Sequence, residues 1–500
     1  MMLAEVSVGA ERDAASIRDR LAWWAVAVAV VGVLPYLNTL AAGFTFDDHG
    51  LVILNPFLPP TASLAAPFFG PSTSGALYRP LTMVTYLLNH RAGGGPFGFH
   101  LVNVLLFACT TGLAFLLAHR LSRSLGVAVG AALVWAVHPI HTEAVASVTG
   151  RAELLGALFM LASLLALAGG LDASGTARRA CLAASLVAFA AALCSKESAA
   201  AGVLLVPLVV WLRGGERVGA RMVRVSAPYL ACALVFVAAR AAVVGALTVD
   251  EIAFVDNPLA FAPTAVRLAT AVVVLWQYVG LLAVPFGLSA DYSYDQVPAV
   301  VSAADPRLVI AVLGLAGIVL IAVACRRWAP LVTFSIAFAA AAFAVTANLV
   351  APIGTIKAER LLFLPSFGWC LVCGWALAAW IGRPADRRRV ALACVLLGLL
   401  ALGTWTRNVD WRDDATLLTV TAQASPRSAR ALKNAGAVYG AAGDLAAAER
   451  LFRQAITIHP DYGPAWKGLA TVLRLAGRPD EAQAAARQAQ RLAAVGRAGS

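Results

Sequence analysis

Charged side chains are scarce in this chain. Only 13% of its 500 residues are charged, whereas 60% are hydrophobic. A water-soluble globular protein carries about 25% charged residues. So few charges cannot cover the surface of a soluble protein of this size, and most of the surface must therefore face lipid. The composition excludes a soluble fold and predicts a protein that crosses a membrane several times.

Lysine is nearly absent, so the basic surplus consists of arginine. The chain has 39 Lys plus Arg residues against 27 Asp plus Glu residues. Its lysines are Lys196, Lys357, Lys433 and Lys467. The arginines lie mostly in short loops between apolar runs, where positive charge fixes orientation in a membrane. The surplus is therefore no sign of nucleic-acid binding.

Polar loops contain no cysteine, and several common active-site motifs are missing. All eight cysteines fall within or beside apolar runs, which is typical of small packing residues. We interpret Cys370 and Cys373 as a chance pair on a helix wall. No Walker loop, nucleophile elbow or dinucleotide fingerprint occurs. The first apolar run has no clear cleavage site after it, so we expect it to be retained.

Apolar runs long enough to approach the roughly 20 residues of a membrane span are abundant. Arginine clusters follow runs two, four, six, nine and eleven. If residues 1–20 are cytoplasmic, all five clusters fall inside only when one run does not cross. Residues 264–287 carry Arg267 and Gln277, and we predict that this run is re-entrant or interfacial. Eleven crossings remain, which places the C-terminus outside. The runs are 21–42, 99–118, 124–140, 152–170, 180–194, 198–212, 226–246, 264–287, 308–324, 329–350, 361–382 and 390–405.

The same topology places most of the polar motifs on the outer side. Charged residues that gather at one border of a membrane domain indicate a site rather than scattered loop residues. The motifs are Phe46-Asp-Asp-His49, Tyr78-Arg-Pro80, His138-Pro-Ile-His141-Thr-Glu143, Arg151-Ala-Glu153, Ser195-Lys-Glu197 and Lys357-Ala-Glu-Arg360.

The last hundred residues have a different character. After a linker at 407–425, residues 426–496 repeat with an offset of 34, so that Leu432 matches Trp466 and Ala448 matches Ala482. This period is that of the tetratricopeptide repeat (TPR), a pair of antiparallel helices. Two units are fewer than the three usually needed for stability, so we expect them to pack on the membrane domain or on a partner.

These motifs in this order, followed by 34-residue repeats, resemble the transmembrane and TPR-repeat-containing O-mannosyltransferases, known as TMTC proteins. That family resembles the wider GT-C class of glycosyltransferases. The resemblance implies an all-α fold, in which a GT-C-like transmembrane catalytic domain at 21–406 includes a first outside loop at 43–98. The TPR hairpins follow as a C-terminal domain.

The resemblance also implies a function. The enzyme would move a hexose from a polyprenyl-phosphate donor to a hydroxyl of a protein or peptide on the non-cytoplasmic face. Mannose is the leading candidate for the hexose. Two alternatives remain open: the same chemistry on a lipid or surface glycan, and a membrane scaffold with a TPR docking arm. Because the composition is rich in Ala and Arg and the loops are short, we expect a bacterial inner membrane. The motifs predict no particular cofactor, and a divalent cation is the alternative.

The catalytic residues are expected in the first outside loop. Asp47 resembles the acidic residue that serves as catalytic base in GT-C enzymes, and Asp48 would orient groups, hold a metal or raise the pKa of Asp47. The alternative is a hairpin or cap Asp pair at a helix exit.

Five cations are candidates for the donor phosphate, because Arg offers a bidentate fork and Lys a point charge. The alternative for each is contact with lipid headgroups. They are Arg79, Arg151, Lys196, Lys357 and Arg360.

Further residues are assigned to donor and acceptor. We expect His138, His141, Glu143 and Glu197 to position the donor; a zinc site on the first three, or a plain structural role, is the alternative. An acceptor chain would contact the repeat residues Asn434, Tyr439 and Lys467.

Overall fold

The computed structural model describes residues 19–59, 61–73, 77–214, 219–245, 252–382 and 384–498. All regular elements in these ranges are helical, which confirms the predicted all-α class. The membrane part contains α1 (Asp19–Ala41), α2 (Pro80–Arg91), α3 (Pro96–Ser122), α4 (Leu125–Val137), α5 (Thr142–Ala146), α6 (Arg151–Asp172), α7 (Gly175–Ser195), α8 (Gly202–Gly214), α9 (Gly219–Val244), α10 (Thr264–Ala283), α11 (Pro306–Cys325), α12 (Pro330–Phe343), α13 (Ser366–Ile381) and α14 (Arg387–Asp410). The C-terminal arm contains α15 (Asp414–Ala424), α16 (Ala429–Ala441), α17 (Leu445–Ile458), α18 (Gly463–Leu475) and α19 (Pro479–Ala498).

Each of the twelve apolar runs forms a helix. Within the described ranges, nine helices are long and apolar enough to cross a membrane, and one bent pair makes a tenth. Helices α12 and α13 are shorter apolar helices. The chain is therefore a multi-pass membrane protein. Helix α10 has 20 residues, which is long enough to span, and the re-entrant or interfacial placement of 264–287 stays a prediction.

A sharp bend turns one polar motif inward. Helix α4 and the segment Pro139–Ala146 meet at 54°. The residue before a proline is pushed out of the helical region, and His138 is extended with ψ 125°. Its Nδ1 accepts the Ile140 N–H at 3.2 Å. The bend therefore places the motif that starts at His138 in the interior, where its side chains are buried.

The main core of the membrane domain lies where α4 and α13 cross. The fully buried Trp135 of α4 packs edge-on against Phe363 and Phe367. Close contact is possible because glycines face each other: a Cβ added to Gly130 would lie 3.1 Å from the Cα of Gly374. A small residue at both positions thus lets the two backbones touch.

We expect Gly374→Ala to destabilise the membrane domain by about 1–3 kcal/mol, because overpacking at a closed helix contact forces the backbones apart. A Cβ there would lie 2.5 Å from the backbone nitrogen of Ala131. Gly398→Ala in α14 is the matched control, since its Cβ would meet nothing within 4 Å. Thermal unfolding in detergent measures both; equal stability of the two variants would contradict the expectation.

The arm forms the predicted repeat. Helices α16 and α17 make one hairpin and α18 and α19 the next, with Gly443 and Gly477 at φ +85° and +73° in the turns. Phe452 fills the space between the hairpins, where a side chain on Gly468 would collide with its ring. The offset of 34 residues is therefore the spacing of two stacked TPR hairpins.

The repeat arm packs on the loop that precedes α11. The Ala429 N–H donates to the Tyr294 carbonyl and the Asp295 N–H to the Arg427 carbonyl, both at 2.8 Å. Val255 joins Leu432 and other small apolar residues of the arm in one core. The arm thus leans on the membrane domain, as the small number of repeats predicts.

Single cysteines in a background without the native cysteines test the predicted topology. We expect Thr61→Cys and Thr471→Cys, at exposed positions, to react from outside with a membrane-impermeant thiol reagent. Thr176→Cys, also exposed, should react only after the membrane is permeabilised. Labelling of Thr176→Cys but not Thr471→Cys in intact cells would reverse the assignment.

Candidate active site

The loop after α1 presents an unpaired carboxylate. Phe46 has φ +48°, a left-handed conformation that is rare for a bulky residue. The next residue, Asp47, is partly buried. Among the residues that the structure describes, its carboxylate accepts no hydrogen bond and forms no ion pair. Asp47 is therefore free to accept a proton from a ligand.

Asp48 ties two loops together. Its side chain is fully buried and accepts the N–H of Thr45 at 3.1 Å, that of Thr149 at 2.8 Å and the Ser147 hydroxyl at 3.2 Å. Burial raises the pKa of Asp48 to about 6, and these hydrogen bonds oppose the rise. The contacts give Asp48 a positioning role, while its predicted catalytic role stays a prediction.

A second carboxylate holds the same loop from the opposite side. Asp414, the first residue of α15, accepts the Phe46 N–H at 2.7 Å. Its other oxygen lies 2.8 Å from Nε2 of His49. Asp47 is thus bracketed by two residues that the arm holds in place.

Two arginines and two carboxylates lie near Asp47. Burial raises the pKa of its carboxyl above the usual value, and the nearby charges of Arg360 and then Arg430 oppose this effect. Arg430 belongs to α16 and lies 2.5 Å from carboxylate oxygens of both Asp256 and Asp291. A residue of the repeat arm therefore contributes to the electrostatics of the loop.

Arg360 is fixed by a buried partner. Glu143, 2% exposed, accepts the Arg360 backbone N–H at 2.8 Å and pairs with its guanidinium. The Arg360 side chain remains 34% exposed. The bend at His138 therefore holds this cation near Asp47 with part of its side chain exposed.

Two more predicted cations adjoin Arg360, each with its own acidic partner. The Nε of Arg79 lies 2.8 Å from a Glu197 oxygen. Lys196 pairs with Glu153. Burial, and after it the charges of Arg79 and Arg360, lower the pKa of Lys196. These cations thus form one group, in which Glu143 and Glu197 each hold one arginine.

Lys357 occupies the other side of the Arg360 turn. Its Nζ lies 3.1 Å from Oε1 of Gln277 and 4.3 Å from the ring centre of Tyr292. Burial lowers its pKa to about 8. The neighbouring Glu359 is fully buried, accepts the Tyr292 hydroxyl at 2.8 Å and has a pKa raised to about 7 by burial.

Arg151 is separated from this group. It is fully buried, and its guanidinium donates to the Asn103 and Asn89 side chains at 2.9 and 2.6 Å and to the Phe99 carbonyl at 2.9 Å. These contacts connect α6 to α2 and α3, and give Arg151 a structural role. Binding of phosphate by this residue stays a prediction.

The two histidines make separate internal contacts. His138 bonds through Nε2 to the Leu282 carbonyl at 3.0 Å, and His141 bonds to the Trp135 carbonyl at 2.9 Å and the Ser366 hydroxyl at 2.8 Å. In the described part of the chain, no group of three or more His, Cys, Asp or Glu side chains is arranged to hold a metal ion. Positioning of the donor by the two histidines stays a prediction.

The three predicted acceptor residues lie apart. Tyr439 lines a groove of about 680 Å³ between α15, α16 and α17. Lys467 lines another, of about 600 Å³, on α18 and α19. Asn434 accepts a hydrogen bond from its neighbour Lys433. Tyr439 and Lys467 thus line two different grooves, and contact of the three residues with an acceptor stays a prediction.

Sequence reasoning missed the residues that join the arm to the site. Asp414 and Arg430 touch the Asp47 loop, and Asp256 and Asp291 hold Arg430. No motif marks them, because each acts through a partner more than a hundred positions away. An acidic residue at a helix start reads locally as a cap.

The fold and site define a multi-pass membrane protein with a charged cluster at the base of a TPR arm. A family model described as Protein O-mannosyl-transferase TMTC, DUF1736, matches residues 251–319, and a tetratricopeptide-repeat model matches 441–495. The first segment contains Asp256 and Asp291, which bind Arg430 of the arm.

Curated relatives carry the same name. A protein O-mannosyl-transferase of Caenorhabditis elegans is 28% identical over 447 residues, which cover 86% of this chain and 62% of the relative. TMTC3 of Homo sapiens is 29% identical over 496 residues, which cover 91% of this chain and 53% of the relative. The chain is thus a homologue of the TMTC proteins, and it spans about half to three fifths of the length of these relatives.

The Arg360–Glu143 pair can be tested for the behaviour of a buried ion pair. We expect Arg360→Gln to destabilise the protein by about 1–3 kcal/mol, because the buried Glu143 loses its partner, with the loss limited by the exposure of Arg360. Adding Glu143→Gln should restore the unfolding temperature in detergent. A double variant as unstable as the single one would show that the pair does not behave as a buried ion pair.

Proposed function

We propose that the chain is a membrane glycosyltransferase that moves a hexose from a polyprenyl-phosphate donor to a hydroxyl of a protein or peptide, with mannose as the leading candidate for the hexose. The names of its homologues support mannosyl transfer to protein. The lipid donor and the non-cytoplasmic face rest on the motif resemblance and the arginine distribution. The proposal includes a location in a bacterial inner membrane.

One observation carries the proposal: a partly buried, unpaired carboxylate beside a fixed, partly exposed arginine. A general base needs an oxygen with a free lone pair within reach of the acceptor proton. Asp47 offers this oxygen, and Arg360 offers positive charge beside it.

The chemistry follows from this pair. Asp47 accepts the proton of the acceptor hydroxyl while the hydroxyl oxygen attacks C1 of the sugar. The bond between C1 and the donor phosphate oxygen breaks, and its electron pair stays on that oxygen. Fixed cations stabilise the charge that develops there. Arg360, Lys196 and Arg79 supply this role, with Lys357 at the other side of the turn.

The carboxylates of the cluster keep these cations in place before the donor arrives. Glu143 and Glu197 fix arginines by hydrogen bonds, and a preorganised cation needs no rearrangement during the reaction. In this proposal the two glutamates position the donor through the arginines. The grooves of the repeat arm would present an extended acceptor chain to Asp47.

The variant Asp47→Asn tests the base. Turnover with polyprenyl-phosphate mannose and a peptide acceptor should fall about 100-fold or more, because the amide cannot accept the proton in the reaction. The unfolding temperature should not fall, since the Asp47 carboxylate forms no hydrogen bond or ion pair among the described residues and its burial disfavours the charged form. Asp386→Asn, at an exposed helix cap, is the control. Near-normal turnover of the Asp47→Asn enzyme would refute the assignment of Asp47 as the base. If the wild-type enzyme transfers the sugar only to a lipid, the acceptor in the proposal changes and the role of Asp47 does not.

The pH profile gives an independent test. Only deprotonated Asp47 acts as a base, so kcat/KM should fall as the pH drops through its pKa. Because burial raises that pKa above the usual 3.8, the acidic limb should lie at a higher pH than for an ordinary aspartate. A profile flat down to the range of a free aspartate would contradict this.

A further inference from the structure

The C-terminal arm reaches the Asp47 loop through three contacts on Phe46. The Phe46 N–H donates to Oδ1 of Asp414 at 2.7 Å. Phe46 packs against the apolar cluster of Ala146, Trp411 and Leu417. The guanidinium carbon of Arg430 lies 5.8 Å from the centre of the Phe46 ring. Apart from Ala146, these residues lie beyond the last membrane helix.

The backbone of Phe46 needs such support. A left-handed conformation of a bulky residue persists only where the surroundings fix it. The N–H of Phe46 has Asp414 as its acceptor, and the ring of His49 bonds to the second oxygen of the same carboxylate. Asp414 therefore binds both neighbours of the Asp47-Asp48 pair, and the direction of the Asp47 side chain follows from the conformation so fixed.

We propose that the C-terminal arm completes the active site, with Asp414 as a positioning residue that sets the direction of Asp47. This inference rests on the proposed function, because it concerns a base whose placement matters for the reaction. It differs from a recruiting role, since the arm then acts on the chemical step for every acceptor, including a small soluble one.

The expected kinetic signature is specific. A displacement of a reacting group by about 1 Å lowers the rate by up to about 100-fold. The cations proposed for the donor phosphate have partners in the membrane domain and do not depend on Asp414. Loss of Asp414 should therefore lower kcat and leave KM for donor and acceptor unchanged.

The test uses the full chain with Asp414→Ala, Asp414→Asn and, as matched control, Asp413→Ala. Asp413 is the adjacent carboxylate and caps the same helix through the Thr416 N–H at 2.7 Å, so its loss weakens α15 without removing the contact to Phe46. We expect about a 10- to 100-fold lower kcat for Asp414→Ala with a small soluble acceptor. Asp414→Asn retains an oxygen for the Phe46 N–H and should recover part of the rate. Asp413→Ala should match the wild type.

Hydrogen exchange of the Phe46 amide gives a readout besides activity. Exchange should be faster in Asp414→Ala than in Asp413→Ala, because only the first variant removes the acceptor. Equal kcat and equal exchange in these two variants would overturn the inference. An equal fall in kcat for both would also overturn it, since general weakening of α15 would then explain the loss.

The outcomes separate the inference from the proposed function. If Asp47→Asn is inactive while Asp414→Ala turns over like Asp413→Ala, only the positioning role fails. If Asp47→Asn retains turnover, the base assignment fails, and the positioning role fails with it. A wild-type chain without any transfer likewise removes both.

Discussion

Pairing of opposite charges at the border of the membrane domain is the constraint on which the site depends. A buried ionised group without a partner is strongly unfavourable, and removal of one partner leaves that penalty uncompensated. Glu143 pairs with Arg360, Glu197 with Arg79, and Glu153 with Lys196. Each pair joins segments that are distant in the chain, so the pairs fix the fold around the site as well as the cations within it.

Asp47 is the exception to this pattern, which is why it stands out. Its carboxylate lies among charged residues without forming a pair in the described part of the chain. The loop that carries it is held by contacts of Phe46, Asp48 and His49, so the position of Asp47 is determined without any bond to Asp47 itself. A side chain fixed in this way is ready for a ligand, at the expense of a strained backbone at Phe46.

The small number of repeats predicts that the arm packs on another surface, but it does not predict which residues make the contact. Arg430 is held by Asp256 and Asp291, which lie in the segment matched by the TMTC family model. Residues of this segment therefore contribute to the contact between the membrane domain and the arm. The arm then acts at the Asp47 loop itself, in addition to offering grooves to an acceptor.

The sequence by itself determined the helical class, the twelve apolar helices and the two repeat hairpins, because hydrophobic length and a fixed period are local properties of the chain. It also indicated which charged residues gather, since scarce charges among apolar runs mark a border. The tertiary structure alone decided which charges form pairs. It showed that Arg151 is buried for structural reasons, and that the Asp47 carboxylate forms no ion pair within the described part of the chain. It also showed that Asp414 and Arg430 reach the site. These features depend on contacts between residues far apart in the chain, which neither spacing nor composition encodes.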